Sequence, residues 1–418
     1  MENKTDIQEK KALDFSAFDV LSLSAWAYVG ILYFVVVVLD LVTKNETISR
    51  SVFLTYFTIL CLLSLKNVFS NVKKADIFFL IMILFLVYLS VTYLYPEGKG
   101  HVISRLPYLF YQVIPFYYIG LFFRFDEDYV FKLYLVSIVG VLLNTVYIFV
   151  FLASGRIMVN DNMTMGYQIL PYVLYVFWYY LWKRTFISLC ISVVGIIFVL
   201  SMGTRGPLLS VIILPVFYYL LGPTLSKKKK ITASIVIGSI YLLMDWISSN
   251  ISLLISIRNS LRSFGLSSRI IDSIFTDIAL SSTNVRLRIY DEIWYYITQK
   301  PSGYGIFGDE ELLEYQTHNI VLGFLFHFGY VLGSFFLLVI LIILIKSVVR
   351  AKSSIMFGIF IVVFSNAIIR VFVSGTYITP SFFLLLGVSV NICRSFLAAE
   401  TNPNTAPAAT PSLISKTA

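Results

Sequence analysis

Three arginines and a histidine are the residues of this chain whose types and spacing could do chemistry. Arg286, Arg288 and His318 lie in one predominantly polar stretch, and Arg205 lies in a short turn between two apolar runs. A guanidinium binds phosphate oxygens through paired hydrogen bonds, and arginines stabilise the charge that grows on a phosphate leaving group. A histidine accepts a proton from a hydroxyl near neutral pH. These residues predict a hydroxyl attacking a substrate with a phosphate leaving group.

Arg205 is predicted to bind an anion at the start of a helix. It is followed by Gly206 and Pro207, and proline suits the first turn of a helix. The free N–H groups and the dipole of such a helix start favour an anion, and an adjacent guanidinium strengthens that preference. The alternative is an arginine that only extends to the membrane interface.

Helical spacing predicts different roles for the other two arginines. The run 286–300 has helical period and places Arg286 on a half-apolar face with Tyr290 and Ile293. Arg288 has acidic residues three and four positions later, which neutralise it within its own helix. We therefore expect Arg286 to bind the ligand and Arg288 to be structural. The alternative is that both are solvated charges.

His318 and Asn319 begin a further apolar helix. The apolar run 319–345 is longer than a span requires, so we expect it to protrude or to break near Gly329. His327 lies nine residues after His318, about half a turn away on a regular helix, so the two do not share a face. A structural hydrogen-bonding role is the alternative for His318.

Weaker candidates come from the rest of the chain. The run Pro301-Ser-Gly-Tyr-Gly305 ends the helix before it, and its glycines allow positive φ and close backbone approach. Arg105, near His101, and Arg370 are further arginines on the side of the membrane assigned to the site. The sequence shows neither a zinc-ligand spacing nor a phosphate-binding glycine loop, so no metal and no cofactor is predicted.

The elements that must position these residues are membrane helices. The chain of 418 residues is 58% hydrophobic and 13% charged, with mean hydropathy +0.84. Soluble domains carry about 25% charged residues. The formal charge of +9 sits in short loops, so it indicates topology and not nucleic-acid binding. The fold class is all-α, a polytopic transmembrane bundle, because helices satisfy their own backbone in lipid.

The apolar runs predict about twelve spans and one large loop. The predicted spans are 20–42, 51–65, 75–94, 107–123, 130–153, 167–182, 185–202, 207–222, 231–246, 319–345, 354–371 and 377–394. Residues 1–398 then form a single integral-membrane bundle, with the large loop at 247–318, and 399–418 form a disordered tail. Most lysines and arginines of the short loops fall on one side, which predicts cytoplasmic termini and an extracytoplasmic large loop.

In this setting the motifs resemble the O-antigen polymerase and O-antigen ligase superfamily of bacterial membrane enzymes. The resemblance rests on Thr-Arg205 at a span turn, Arg286-Leu-x-Ile-Tyr290, Pro301-x-Gly-x-Gly305 and His318-Asn319 before a glycine-bearing span. The polytopic frame with one large outer loop between late spans matches too. The family often has tryptophan where Tyr290 stands.

The resemblance implies a metal-independent glycosyltransferase of the type C class in the inner, cytoplasmic membrane of a bacterium. Its donor is an oligosaccharide on undecaprenyl pyrophosphate, and membrane lipid surrounds it. Arg205 and Arg286 correspond to pyrophosphate-binding arginines and His318 to the base. The implied product is an O-antigen, capsular or other surface polysaccharide. The implied partners are a chain-length regulator and a flippase of the same pathway.

Three alternatives remain open from the sequence. A ligase of the same superfamily would pass the polymer to lipid A-core instead of to a lipid-linked repeat. Twelve spans also suit a transporter of polysaccharide or of lipid-linked oligosaccharide, although transport sites usually lie at mid-membrane and these candidates gather on one face. The last alternative is a scaffold of a polysaccharide assembly complex without chemistry of its own.

Overall fold

A computed structural model describes residues 17–27, 74–153, 161–201, 205–223, 278–374 and 376–401, with a few isolated positions between them. These parts of the chain are helical and contain no strand, which agrees with the predicted all-α class. The helices are α1 (Ala17–Ala27), α2 (Lys74–Leu89), α3 (Lys99–Tyr108), α4 (Ile114–Leu121), α5 (Glu127–Ala153), α6 (Asp161–Lys183), α7 (Phe186–Ser201), α8 (Arg205–Leu221), α9 (Ile278–Gln299), α10 (Gly308–Leu312), α11 (Ile320–Arg350), α12 (Ser354–Ile369) and α13 (Pro380–Thr401).

Four helical stretches in the described ranges are long and apolar enough to cross a membrane. They are Asp76–Leu94, Glu127–Tyr147, Ile320–Arg350 and Ser354–Phe372, and shorter apolar helices cover Phe186–Leu200, Gly206–Leu221 and Pro380–Phe396. The chain thus has the helices of a membrane protein. Several predicted segments lie outside the described residues, apart from isolated positions. They are the spans 51–65 and 231–246, most of the span 20–42, the part 247–277 of the large loop, and the tail beyond 401. The count of twelve spans stays a prediction.

The larger core surrounds α6. From Ile169 to Trp178 the side chains of this helix are almost entirely buried, apart from the half-buried Phe177, against α5 on one side and α12 on the other. The contact with α12 is close because Gly358 has no side chain. A Cβ atom at that position would lie 1.9 Å from Cε2 of Trp178. Glycine there allows the indole to lie against the α12 backbone, which is how small residues bring membrane helices together.

The helices α4 and α13 cross through a second pair of glycines. A Cβ atom on Gly120 would lie 2.4 Å from the carbonyl oxygen of Leu384, and one on Gly387 would lie 2.1 Å from that of Tyr117. Asn391 then donates a hydrogen bond across the crossing to the carbonyl oxygen of Phe123, at 2.8 Å. This crossing fixes the position of α13, whose first turn borders the candidate site.

Ion pairs hold the helix ends on the side of the bundle away from the site. Lys132 Nζ, on α5, lies 3.1 Å from buried Asp19 of α1 and 2.9 Å from Asp128. Arg394, near the end of α13, pairs with Asp76 at the start of α2. Because Arg394 is far along α13 from its first turn, these charges and the site occupy opposite ends of that helix. Two residues of the acidic run 126–128 thus have structural partners, since Asp126 pairs with Arg124 and Asp128 with Lys132.

In the described ranges three π-helical turns, which are wider than those of an α-helix, occur at the end of the bundle where the candidate site lies. The helix α2 continues into a π-helical turn at Ser90–Leu94, α3 into Leu109–Val113 and α12 into Arg370–Ser374. Such turns are frequent at functional sites because they widen the helix and redirect its side chains. The turns Ser90–Leu94 and Arg370–Ser374 border the loop segments of the candidate site.

Candidate functional site

The helix α11 is broken at Gly329, as the length of its apolar run predicts. Gly329 has φ 71° and ψ −177°, so the residues before and after it form two helical halves. A break leaves backbone groups without partners inside the helix, and buried ones must find them elsewhere. The loop Pro301–Gly305 provides them. Tyr304 and Gly305 donate to the carbonyl oxygens of Phe326 and His327, both at 2.8 Å, and Tyr330 N–H donates to Pro301 at 3.0 Å.

The two loop glycines make this docking possible. Gly303 and Gly305 have φ of 90° and 75°, which confirms that these positions use positive φ. A Cβ atom on Gly303 would lie 2.5 Å from the Gly329 nitrogen, and one on Gly305 would lie 2.8 Å from the Cβ of Ser90. The loop is thus pressed between the break in α11 and the wide turn of α2, where Ser90 Oγ accepts from Ile306 N–H at 2.9 Å.

A buried network lies directly behind the break. His327 Nε2 is 2.7 Å from Asp309 Oδ1, and His327 Nδ1 is 2.8 Å from the hydroxyl of Tyr377. All three residues are almost completely buried. An ionised carboxylate can only accept, so Nε2–H of His327 donates to Asp309, and Nδ1 bonds to the hydroxyl of Tyr377. Three separate segments, α10, the first half of α11 and the residues before α13, are joined by these two bonds.

The electrostatics favour an ionised Asp309. Burial by itself raises the pKa of this carboxyl. The charge and hydrogen bond of His327 and the backbone N–H groups of Thr317 and Glu310 outweigh burial, so the pKa lies below its ordinary value. The carboxylate is the centre of the network because it accepts hydrogen bonds both from His327 in α11 and from Thr317 in the segment before α11.

Asp309 also fixes the backbone just before His318. Its Oδ2 accepts from Thr317 N–H at 3.0 Å. On the other side of His318, the side chain of Asn319 caps α11 by accepting from Val321 and Leu322 N–H, at 2.9 and 3.2 Å. His318 is held between these two bonds with φ 51°, a left-handed conformation that few residues other than glycine adopt. Its half-buried ring is thus placed by its neighbours on both sides.

A polar cavity of about 290 Å³ borders this segment. Its lining includes Arg105, Glu310 and Glu314, with tyrosine, glutamine and threonine side chains between them. Arg105 Nη2 pairs with Glu310 Oε2 at 2.8 Å, and Glu310 Oε1 accepts from Gln316 at 3.0 Å. The cavity therefore presents organised hydrogen-bonding groups of both signs.

An apolar groove of about 500 Å³ lies next to the polar cavity. It runs between α2, α11 and the start of α13, and phenylalanine, leucine, isoleucine and methionine side chains make up almost all of its lining. Ile378 borders both spaces. The neighbouring Tyr377 also faces the groove, with its ring stacked on Phe324 at 4.0 Å between centroids. The arrangement can hold an amphiphile, with its polar part in the cavity and its chain in the groove.

The two arginines predicted to bind pyrophosphate are placed only by their backbones. The helix α8 begins at Arg205, as expected for an anion site at a helix start, and Arg286 lies within α9. Both side chains lie outside the described residues, so their distances to His318 stay predictions. The predicted inward face of α9 is confirmed further along, where Ile293 and Ile297 are completely buried.

Tyr290 and Arg288 lie on different faces of α9. Tyr290 is half-buried and packs on the cluster around Ile293. Arg288 is exposed, and within the described ranges no ion pair joins it to Asp291 or Glu292. Glu292 accepts instead from the hydroxyl of Tyr315, at 2.5 Å. The expected ion pairs of Arg288 within its helix are therefore not found, and for Glu292 the reason is that Tyr315 binds it instead.

Two of the weaker candidates, Arg105 and Arg370, lie at or close to the wall of the polar cavity. Arg105 lines it, and His101 Nε2 lies 3.7 Å from Glu310 on the same side. Arg370 lies in the wide turn after α12, with its guanidinium 5.5 Å from the ring centroid of Tyr167, and it interacts electrostatically with Tyr108 of the cavity wall. Arg105, Arg370 and the segment that carries His318 are thus brought to one end of the bundle.

Sequence reasoning does not bring His327, Asp309 and Tyr377 together at the site. Helical spacing sets His327 apart from His318, but His318 lies before the helix, and the two are linked through Asp309 and Thr317 instead. The available signal is the polarity of His327 in a run of apolar residues, because a buried histidine requires partners. Charge alone makes the run that begins at Asp309 a weak candidate for a metal, and no cluster with metal-ligand geometry occurs in the described ranges.

Comparison with known proteins adds no family to these observations. Neither a family model nor a curated protein nor a solved structure matches the chain.

Proposed function

We propose that the protein is a polysaccharide polymerase that takes a glycan from undecaprenyl pyrophosphate and joins it to a lipid-linked repeat unit. The observation that carries this proposal is the polar cavity beside the apolar groove, with Ile378 common to both. A polyprenyl-linked sugar has the same two parts, a polar head and a long apolar chain. A ligand site of this kind is usually concave and largely preformed.

The chemistry is a single displacement at the anomeric carbon of the donor glycan. The hydroxyl oxygen of the acceptor repeat bonds to that carbon while the bond to the pyrophosphate oxygen breaks, so the anomeric centre inverts. His318 accepts the hydroxyl proton, and Arg205 and Arg286 stabilise the charge on the departing undecaprenyl pyrophosphate. The restrained backbone on both sides of His318 supports this role, because catalytic groups act from fixed positions.

The membrane setting is part of the proposal. About twelve spans follow from the lengths of the apolar runs. Cytoplasmic termini and a site facing the periplasm or the cell exterior follow from the distribution of lysine and arginine. The location of Lys132 and Arg394 at the end of the bundle away from the cavity supports this orientation. The large loop at 247–318 then contributes His318 and the cavity wall from outside the membrane.

The decisive experiment supplies purified protein in lipid nanodiscs with the lipid-linked repeat extracted from cells that make the polymer. A ladder of lengthening glycans supports the polymerase. A product that forms only when lipid A-core is added identifies a ligase, and movement of the repeat across proteoliposomes without new glycan bonds identifies a transporter. Absence of any new bond and of any movement, from protein that retains its native melting temperature, favours the scaffold and rejects the proposal.

A further inference from the structure

Among the described residues that line the polar cavity, acidic groups outnumber basic ones by two, Glu310 and Glu314, to one, Arg105. Arg105 is already paired with Glu310 at 2.8 Å, and Glu310 also accepts from Gln316. Glu314 also lines the cavity, is exposed and has φ 61°. In the described part of the chain no ion pair involves Glu314. An anion entering this space meets the Glu314 carboxylate, and Arg105, the cation among the described residues of the wall, is already bound to Glu310.

The remaining wall suits hydroxyl groups. The carboxylates accept hydrogen bonds from hydroxyl or ammonium donors, and such charge-assisted bonds are stronger than neutral ones. The Tyr108 hydroxyl donates to the Ile378 carbonyl oxygen at 3.1 Å, which leaves its own oxygen free to accept. Tyr108, Tyr315 and Phe307 supply ring surface for the apolar face of a sugar. A volume of about 290 Å³ lies at the lower end of ligand pockets, which start at about 300 Å³.

We infer that the polar cavity binds a single sugar ring that is neutral or carries an amine, and that it discriminates against uronic acids and phosphorylated sugars. The inference rests on the proposed function in one respect, namely that the ring is a sugar of the lipid-linked glycan other than the one joined to the pyrophosphate. Discrimination comes from repulsion, since a sugar carboxylate must give up water beside Glu314 without gaining a free cation. The pyrophosphate is accordingly bound elsewhere, by arginines that are not paired with Glu310.

The test measures binding without turnover. Saturation-transfer NMR on the nanodisc-embedded protein uses matched pairs of methyl glycosides, neutral and uronic, in the gluco, galacto and manno series, with the corresponding amino sugars. We expect the neutral or amino member of at least one series to bind about tenfold more tightly than its uronic partner. In Glu314→Gln this ratio falls to about threefold or less. Glu311→Gln, an exposed acid beside the cavity but not in its wall, keeps the native ratio.

A second variant locates the binding. Gln316→Trp fills the cavity from a half-buried position of its wall and is expected to abolish the saturation-transfer signal of every glycoside while leaving the melting temperature close to native. Equal or tighter binding of the uronic members, persistence of the signal in Gln316→Trp, or absence of a signal from every glycoside overturns the inference. A glycan ladder with equal binding of uronic sugars rejects the inference alone. Binding of neutral sugars without any ladder or ligated product rejects the proposed function but keeps the sugar site.

Discussion

His327 Nε2 lies 2.7 Å from Asp309 Oδ1 in a region closed to solvent. The bond joins the broken helix α11 to the short helix α10, and Asp309 passes the constraint on to Thr317, the residue before His318. The proposed base is thus held by a carboxylate nine residues earlier in the chain. A change at Asp309 alters the position of His318 without touching a substrate.

Replacing Asp309 with asparagine is expected to destabilise the protein. The amide has the same shape but only one acceptor oxygen, so either His327 or Thr317 N–H loses its partner in a buried place. Leaving one buried donor unsatisfied costs about 1–3 kcal/mol. Thermal unfolding in detergent measures the effect, with Glu311→Asn, an exposed neighbour, as the control. A native melting temperature for Asp309→Asn contradicts the network.

The pH dependence of this effect has a definite sign. Because the folded state lowers the pKa of Asp309, the carboxylate contributes its full stabilisation above the unfolded pKa of about 3.9. This stabilisation is lost as the pH falls through the pKa that Asp309 has in the folded protein. The difference in melting temperature between native protein and Asp309→Asn should therefore be constant from about pH 5 to 8 and shrink below about pH 4. A difference that grows on acidification would show that the sign is wrong.

Substitution of the glycines at the helix break is expected to damage the fold. Gly329→Ala places a methyl group 2.2 Å from the Pro301 carbonyl oxygen at φ 71°, and Gly303→Ala places one 2.5 Å from the Gly329 nitrogen at φ 90°. Neither backbone can give way without breaking the bonds between loop and helix. We expect each to cost more than about 2 kcal/mol.

Gly100 provides a matched control for these substitutions. It lies in helix α3, and a Cβ atom there meets nothing within 4 Å. Gly100→Ala should therefore be neutral or stabilising, by up to about 1 kcal/mol. Unfolding curves of the three variants in the same detergent compare them directly, and equal effects at Gly100 and Gly329 would refute the role given to the loop.

The buried lysine at the opposite end gives a prediction about stability alone. Lys132→Met keeps the volume of the side chain but removes the cation 3.1 Å from buried Asp19. Breaking a buried ion pair from one side costs about 3–5 kcal/mol, and the remaining Arg124 contact, at 3.3 Å, offsets part of that cost. Lys183→Met is the control. Its 3.5 Å pair with Glu127 is exposed and should contribute less than about 1 kcal/mol.

The two arginines of α9 are predicted to differ in activity. Arg286→Ala should abolish glycan transfer, since Arg286 continues the face on which Tyr290 and Ile293 turn inward, whereas Arg288→Ala should retain it because Arg288 is exposed. His318→Ala should also be inactive while it keeps the native melting temperature. Ladder assays on equal amounts of folded protein measure all three. A full ladder from His318→Ala would remove the histidine from the mechanism.

Several features of the site follow from the sequence. The helical period of residues 286–300 predicts the inward face of α9, and the apolar run after Asn319 predicts that a helix begins there, although His318 itself lies before the helix. The excess length of that run and its glycine predict the break at Gly329. These features are local, because the period, the cap and the break each depend on neighbouring residues only.

The partners of the buried groups were decided by the tertiary structure. Local spacing pairs Arg288 with Glu292, yet Glu292 meets Tyr315 from another segment. Spacing along one helix separates His318 from His327, yet Asp309 links them because α10 folds against α11. The chain's own residues determined the all-helical class, the apolar helices and the break in α11, since apolar runs and backbone hydrogen bonds act locally along the chain. Which polar groups meet at the cavity depends on contacts distant in sequence, such as Tyr108 with Ile378, and only packing of the whole bundle selects them.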